Sequence, residues 1–168
     1  TQTGDNNSAQ YNIKGSTNSY TSTVTGNNNQ TNLQIGVASG QNAAAKNNNT
    51  VTETITGNSN MILTNIQAGH VNATTSITGS SNQVTQNLST DNGTVTNTIS
   101  GSNNVFNIQQ TDTGGANAHS LTMSTTGDYN SITTQQQGTN DTTMNVSTSG
   151  SHNTITIRSS SGSISGSA

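Results

Sequence analysis

The sequence has no cysteine, no proline and no tryptophan, and only three tyrosines and one phenylalanine in 168 residues. Without cysteine, disulfides, iron–sulfur clusters and thiolate zinc sites are excluded. With 24% hydrophobic and 2% aromatic residues, a globular core of ordinary composition is not expected. Charge is scarce as well: 5% of residues are charged, the net charge is −3, and Lys14, Lys46 and Arg158 are the only fixed cations. That leaves no basic footprint for a phosphate backbone, so nucleic acid is not an expected partner. No apolar run approaches the length of a membrane-spanning helix, so no membrane span is expected either.

Low hydrophobicity by itself suggests disorder, but disordered chains usually add high charge or proline, and this one has neither. Thr, Asn, Ser and Gln instead make up 98 of the 168 residues. A polar, uncharged and β-branched chain without proline is suited to stacking as strands.

The organising feature is a tandem repeat, which has to be recognised before any fold is assigned. In "TVTETITGNSN", Thr52, Thr54 and Thr56 alternate with Val51, Glu53 and Ile55 until a glycine intervenes. Alternation of period two is the mark of a strand, because successive side chains point to opposite faces. Aligned on the glycine, seven units appear at Gly4, Gly26, Gly57, Gly79, Gly101, Gly127 and Gly150, spaced by 22, 31, 22, 22, 26 and 23 residues. Three residues after each glycine stands an asparagine: Asn7, Asn29, Asn60, Asn82, Asn104, Asn130 and Asn153.

Counting from the glycine, position −6 reads Tyr20, Val51, Ala73, Val95, Leu121 and Met144, and position −2 reads Val24, Ile55, Ile77, Ile99, Thr125 and Thr148. After it, position +5 reads Ala9, Thr31, Ile62, Val84, Phe106, Ile132 and Ile155, and +9 reads Ile13, Ile35, Ile66, Leu88, Gln110, Gln136 and Ser159. Inward positions are thus even before the glycine and odd after it. The phase slips once across "G-x-x-N", so the chain bends there and the two apolar faces meet, with the glycine taking dihedrals denied to other residues. Each unit is therefore a strand, an arc and a strand.

The expected fold is an all-β, cross-β solenoid: one repeat domain over 1–168, about 22 residues per coil and roughly seven coils, one per arc glycine. Length variation is confined to the second connection, with insertions near 36–48 and 111–118. In-register stacking at about 4.8 Å lets the repeated asparagines form amide ladders and disfavours any repeated charge. Asp5 and Asp128 accordingly fall in the glycine arc, Lys46, Asp91, Asp112 and Asp141 in the variable arc, and Arg158 on an outward position. Glu53 is the misfit, placed inward between Ser22 and Thr75 of neighbouring coils.

The unit resembles the curlin repeat of bacterial curli fibres, which runs Ser, five residues, Gln, one residue, Gly, two residues, Asn, one residue, Ala, three residues, Gln. The period near 22, the Gly-x-x-Asn arc and the flanking apolar positions match over essentially the whole chain. The first curlin glutamine is replaced by Val24, Ile55, Ile77 or Ile99. The alanine persists as Ala9 and the second glutamine as Gln110 and Gln136, while Gln34, Gln67 and Gln136 precede the secondary glycines Gly36, Gly69 and Gly138. The resemblance implies an exported subunit that self-assembles into extracellular amyloid-like fibres of a biofilm matrix, with secretion and nucleation partners. A first residue other than methionine fits a mature form whose export signal has been removed.

No enzyme is expected, because catalysis needs titratable groups brought together and the repeat does not converge them. His70, His119 and His152 occupy unrelated repeat positions and read as solvated loop histidines rather than metal ligands. The arcs lack the aspartate at every turn that calcium-binding repeats use, so neither metal nor cofactor is expected. The outward face before each glycine carries a different pattern: Thr21, Thr23, Thr25; Thr52, Thr54, Thr56; Thr74, Ser76, Thr78; Thr96, Thr98, Ser100; Thr122, Ser124, Thr126. Threonine is a good polar strand former, which accounts for it structurally. The same hydroxyl lattice looks like the threonine-ranked faces of β-solenoid ice-binding proteins, so an ice- or carbohydrate-binding face is the alternative expectation.

Overall fold

Each repeat unit folds as two strands joined by its glycine arc. The computed structural model is all-β, with 79% strand, no helix among the described residues, and parallel strands forming a β-solenoid of about 6 turns at roughly 22 residues per coil. Seven arcs bound six complete turns, which reconciles that number with the seven units of the sequence. The structure describes all residues except 5, 15–16, 27, 37–47, 58, 80, 82, 102, 113–118, 128, 139–141, 151, 161–162 and 168. The expected insertions therefore lie largely outside the described residues.

The strands are β1 (Gln2–Thr3), β2 (Ser8–Lys14), β3 (Ser19–Thr25), β4 (Gln30–Gly36), β5 (Asn48–Thr56), β6 (Met61–Thr78), β7 (Gln83–Ser100), β8 (Val105–Asp112), β9 (His119–Thr126), β10 (Ser131–Gln137), β11 (Thr142–Thr148), β12 (Thr154–Ser159) and β13 (Ser163–Ser167). Strands preceding an arc stack as β1, β3, β5, the second half of β6, the second half of β7, β9, β11 and β13. Strands following an arc stack as β2, β4, the first half of β6, the first half of β7, β8, β10 and β12. At 18 residues each, β6 and β7 run through the second corner without a break and join the two faces. β13 is a further strand that the seven-unit alignment does not contain; it pairs Ile164 with Met144 and so starts an eighth coil.

Register follows the repeat position by position. Val24, Ile55, Ile77 and Ile99 are consecutive partners along one face, and Ile62, Val84, Phe106 and Ile132 along the other. These residues are 0–1% exposed and form one core cluster between the faces. A slip of one residue would turn every such rank to solvent, so burial itself fixes the register.

The arc explains the glycine twice over. Gly26, Gly57, Gly79 and Gly127 have φ of +134°, +146°, +156° and +148°, a region that disfavours side chains. Stacking adds a second bar: a Cβ on Gly26, Gly57, Gly79, Gly101, Gly127 or Gly150 would overlap the carbonyl oxygen of the arc glycine one coil earlier. Two residues on, the chain is left-handed in every arc, at Asn6, Asn28, Ser59, Ser81, Asn103, Tyr129 and His152, with φ of 56–60°. The phase slip in the sequence is the trace of this paired backbone reversal.

Replacing Gly79 with Ala should therefore cost on the order of 2 kcal/mol or more, from dihedral strain and the collision with Gly57. Gly36→Ala is the control, because a Cβ there meets nothing within 4 Å. Urea denaturation should separate the two clearly, and equal midpoints would contradict the stacked arc.

Candidate functional site

Among the described residues, the arc asparagine uses both ends of its amide. The Nδ2 donates to the carbonyl of its own arc glycine, at 2.8 Å in Asn7, 3.1 Å in Asn29, 3.4 Å in Asn60, 3.1 Å in Asn104, 3.2 Å in Asn130 and 3.0 Å in Asn153. The Oδ1 accepts from the backbone N–H of the asparagine one coil earlier: Asn7 to Asn29 at 3.1 Å, Asn29 to Asn60 at 3.1 Å, Asn104 to Asn130 at 3.1 Å and Asn130 to Asn153 at 3.0 Å. Instead of amide stacking on amide, each side chain locks its own arc and ties it to the neighbouring backbone. Asn29, Asn60, Asn104 and Asn130 are buried, so the satisfied amides avoid the penalty of unpaired polar groups. Asn82 lies outside the described residues.

On the outward face before the arc, Thr21, Thr25, Thr54, Thr56, Thr74, Thr78, Thr98, Thr122 and Thr126 are exposed, while Thr23, Thr52 and Thr96 are partly shielded. The ladder places Thr21, Thr52, Thr74, Thr96 and Thr122 directly above one another. The opposite outward face is less regular, with Met61 and Val105 each 46% exposed. Beside it, a groove of about 290 Å³ runs past Gln34, Asn65, Asn87 and Gln109, where Asn87 Nδ2 donates to Asn65 Oδ1 at 2.9 Å.

Between the two apolar ranks runs a buried polar seam, of which the repeat pattern marks only Glu53. Positions −4 and +7 face each other across the core. Asn97 Nδ2 donates to Gln86 Oε1 at 2.9 Å, Gln86 Nε2 donates to Thr75 Oγ1 at 2.8 Å, and Thr64 Oγ1 donates to Glu53 Oε2 at 3.0 Å. All five residues are at most 1% exposed. The signal was present as polar residues at inward parity, but only side-chain geometry shows them linked. Burial pushes the Glu53 carboxyl up from 4.5 to about 7, and hydrogen bonds with Thr64 and Thr75 offset this only in part.

The histidines separate from one another. His152 is exposed and stacks on Tyr129 with ring centroids 4.9 Å apart. His119, expected to be a solvated loop residue, is instead 2% exposed at the start of β9. It pairs across the sheet with Thr142 and falls at an inward position, where Gln110 Nε2 lies 3.2 Å and Thr90 Oγ1 3.4 Å from its Nδ1. Gln136 Nε2 donates to Gln110 Oε1 at 2.9 Å, so these two glutamines form a two-rung amide ladder at that corner. No group of three His, Asp or Glu side chains converges as a metal site among the described residues. No helix among them is long and apolar enough to cross a membrane.

No family model, curated protein or solved structure matches the chain.

The Glu53 environment makes a signed prediction. Its folded-state pKa is raised, so the folded form holds the proton more tightly than the unfolded chain does. Its contribution is therefore fully present below about pH 4.5 and is lost as pH rises through about 7, a change of about 3 kcal/mol. Tyr20, pushed up to about 12 by burial, stays protonated throughout that range. Denaturation midpoints measured from pH 4 to 9 should fall with rising pH for the wild type, and the Glu53→Gln variant should lack that component. Parallel profiles for the two proteins would contradict it.

Proposed function

We propose that this chain is a structural subunit that stacks head-to-tail into an extracellular, curli-type cross-β fibre, serving a biofilm matrix and surface adhesion. The supporting observation is the burial profile of the inward ranks after the arc. In the second to sixth coils every residue at +5, +7 and +9 is buried, from Thr31, Leu33 and Ile35 to Ile132, Thr134 and Gln136. In the two end coils none is: Ala9, Tyr11 and Ile13 at one end and Ile155, Ile157 and Ser159 at the other are half-buried. Each end thus leaves unfinished the same ranks that the other end would complete.

The strand edges agree. Solenoids that stay monomeric cover or charge their terminal strands, since an open edge templates another chain. β2 and β12 carry no proline, and Lys14 and Arg158 are their only charged residues. Docking β12 of one copy onto β2 of the next would continue the backbone ladder and set Ile155 and Ile157 against Ala9 and Tyr11. Export, secretion partners and a nucleator go with this reading through the curlin resemblance of the repeat.

The test uses backbone direction. Gln30 N–H donates to Asn7 O at 2.9 Å, Met61 N–H to Asn29 O at 3.0 Å and Ser160 N–H to Gln136 O at 3.1 Å, so even positions after the arc donate to the coil before. The N–H groups of Gln10 and Asn12 therefore point out of the open first coil, while their side chains are exposed. Proline at both positions removes two edge donors without touching the core. Electron microscopy at neutral pH should show fibres for the wild type, and Gln10→Pro/Asn12→Pro should arrest their growth at substoichiometric amounts. A wild type that stays monomeric on standing, or a variant that joins fibres at the normal rate, would overturn the reading.

A second reading, binding of ice or an ordered carbohydrate surface, is favoured by the in-register hydroxyl lattice from Thr21 to Thr122. It uses the side of the rod rather than its ends. Thr54→Lys, Thr78→Lys and Thr98→Lys together should abolish thermal hysteresis in a monomeric ice binder. In a fibre subunit, hysteresis should be negligible from the start, and the triple variant should grow slowly and be rescued in part by salt.

A further inference from the structure

We propose that the groove on the face after the arc holds a neutral, extended glycan of β-1,4-linked sugars lying along the rod. The site lies within one molecule and on the opposite face from the threonine lattice, so it depends neither on the fibre reading nor on binding at that lattice.

One outward rank differs from its neighbours. Position +8 reads Asn12, Gln34, Asn65, Asn87, Gln109 and Gln135, consecutive partners along the stack, so a carboxamide stands at every level through six coils. The adjoining outward ranks are mixed: +4 takes in Gln30, Met61 and Val105, and +6 takes in Asn32, Leu63 and Thr85. Strand propensity does not account for the amides, since asparagine is depleted in strands.

Nor does the rank satisfy itself. Among the described residues its one internal hydrogen bond runs from Asn87 Nδ2 to Asn65 Oδ1 at 2.9 Å, and the side chains of Gln34 and Gln109 make none. The arc asparagines, by contrast, spend both ends of their amides on the protein. At +8 the donors and acceptors are left to the groove.

Shape and charge select the ligand. Across the groove stands position +10, where Gly36, Ser89 and Thr111 are small, and a Cβ at Gly36 would meet nothing within 4 Å. None of the residues lining the groove is charged, which favours a neutral ligand over an anionic or cationic one. From Gln34 to Gln109 the groove passes four levels, about 14 Å at the strand spacing, enough for about three sugar rings. An extended β-1,4-linked glycan advances by close to one coil spacing per ring, so each ring meets its own amide. Successive rings are turned over, and a wall that follows them must offer a donor and an acceptor at every level. A carboxamide offers both.

Isothermal titration with cellohexaose tests the site, with a hexameric oligogalacturonate as the anionic comparison. Asn65→Val/Asn87→Val/Gln109→Val removes three amides and keeps good strand formers, and changing Asn65 and Asn87 together leaves neither without its partner. Cellohexaose should bind the wild type, and this variant at least about tenfold more weakly. Gln83→Val/Asn107→Val/Thr133→Val alters three exposed positions of the same face outside the groove and should bind as the wild type does. In isotope-labelled wild type, the side-chain amide signals of Gln34 and Gln109 should shift on adding cellohexaose while those of Gln83 and Asn107 stay in place, a measurement that needs no variant to fold. Equal binding by the two triple variants, shifts confined to residues outside the groove, preference for oligogalacturonate, or no binding of cellohexaose by the wild type would each overturn the site. All four results leave the fibre reading standing, since fibre growth is scored separately by microscopy.

Discussion

Everything in this molecule follows from one constraint, that each residue has a near-copy of itself about 4.8 Å away along the stack. A charge repeated at that spacing repels its neighbours, and correspondingly no two adjacent units carry a like charge at the same repeat position. A side chain at the arc glycine would collide with the coil before it, so the glycine recurs in all seven units. An amide, by contrast, gains from repetition, because its acceptor reaches the neighbouring backbone while its donor closes its own turn. The asparagine is as regular as the glycine for the complementary reason.

The same constraint lets a chain with few hydrophobic residues form a dry interior. A coil contributes only a handful of inward side chains, too few for a core of its own. Stacking joins them into continuous ranks of Val, Ile, Leu and Met enclosed by two walls of strand backbone. The polar seam from Glu53 to Asn97 runs inside this interior, where Thr64 bonds Glu53, Gln86 bonds Thr75 and Asn97 bonds Gln86 across the two faces. Glu53 is the exception to uniform repetition. Held near neutrality, its carboxyl can take a hydroxyl proton as a hydrogen bond when ionised or donate one of its own when protonated.

The two ends are where the constraint is unmet. Half-buried Tyr11, Ile13, Ile155 and Ile157 and the strand edges beside them lack the neighbouring coil that every internal residue has. The partner proposed there is a second copy, which offers the same register, apolar ranks and arc geometry. On that proposal a fibre is preferred over a binding face on the side of the rod.

Period-two alternation interrupted by a fixed Gly-x-x-Asn was enough to read the strands, the arc and the inward ranks, because in a stacked fold these are local properties repeated at each level. The sequence also located Glu53 inside, by parity alone. Tertiary structure decided what parity cannot express: that Glu53, Thr64, Thr75, Gln86 and Asn97 form a seam across the core, since residues eleven or more apart meet only once the two faces close. It decided that His119 is buried against Gln110, a contact set by the corner between coils. It decided that the arc asparagine bonds backbone groups rather than the amide above it, and that Ser163–Ser167 opens another coil. Those outcomes depend on distances between separate turns, which a one-dimensional repeat implies but does not contain.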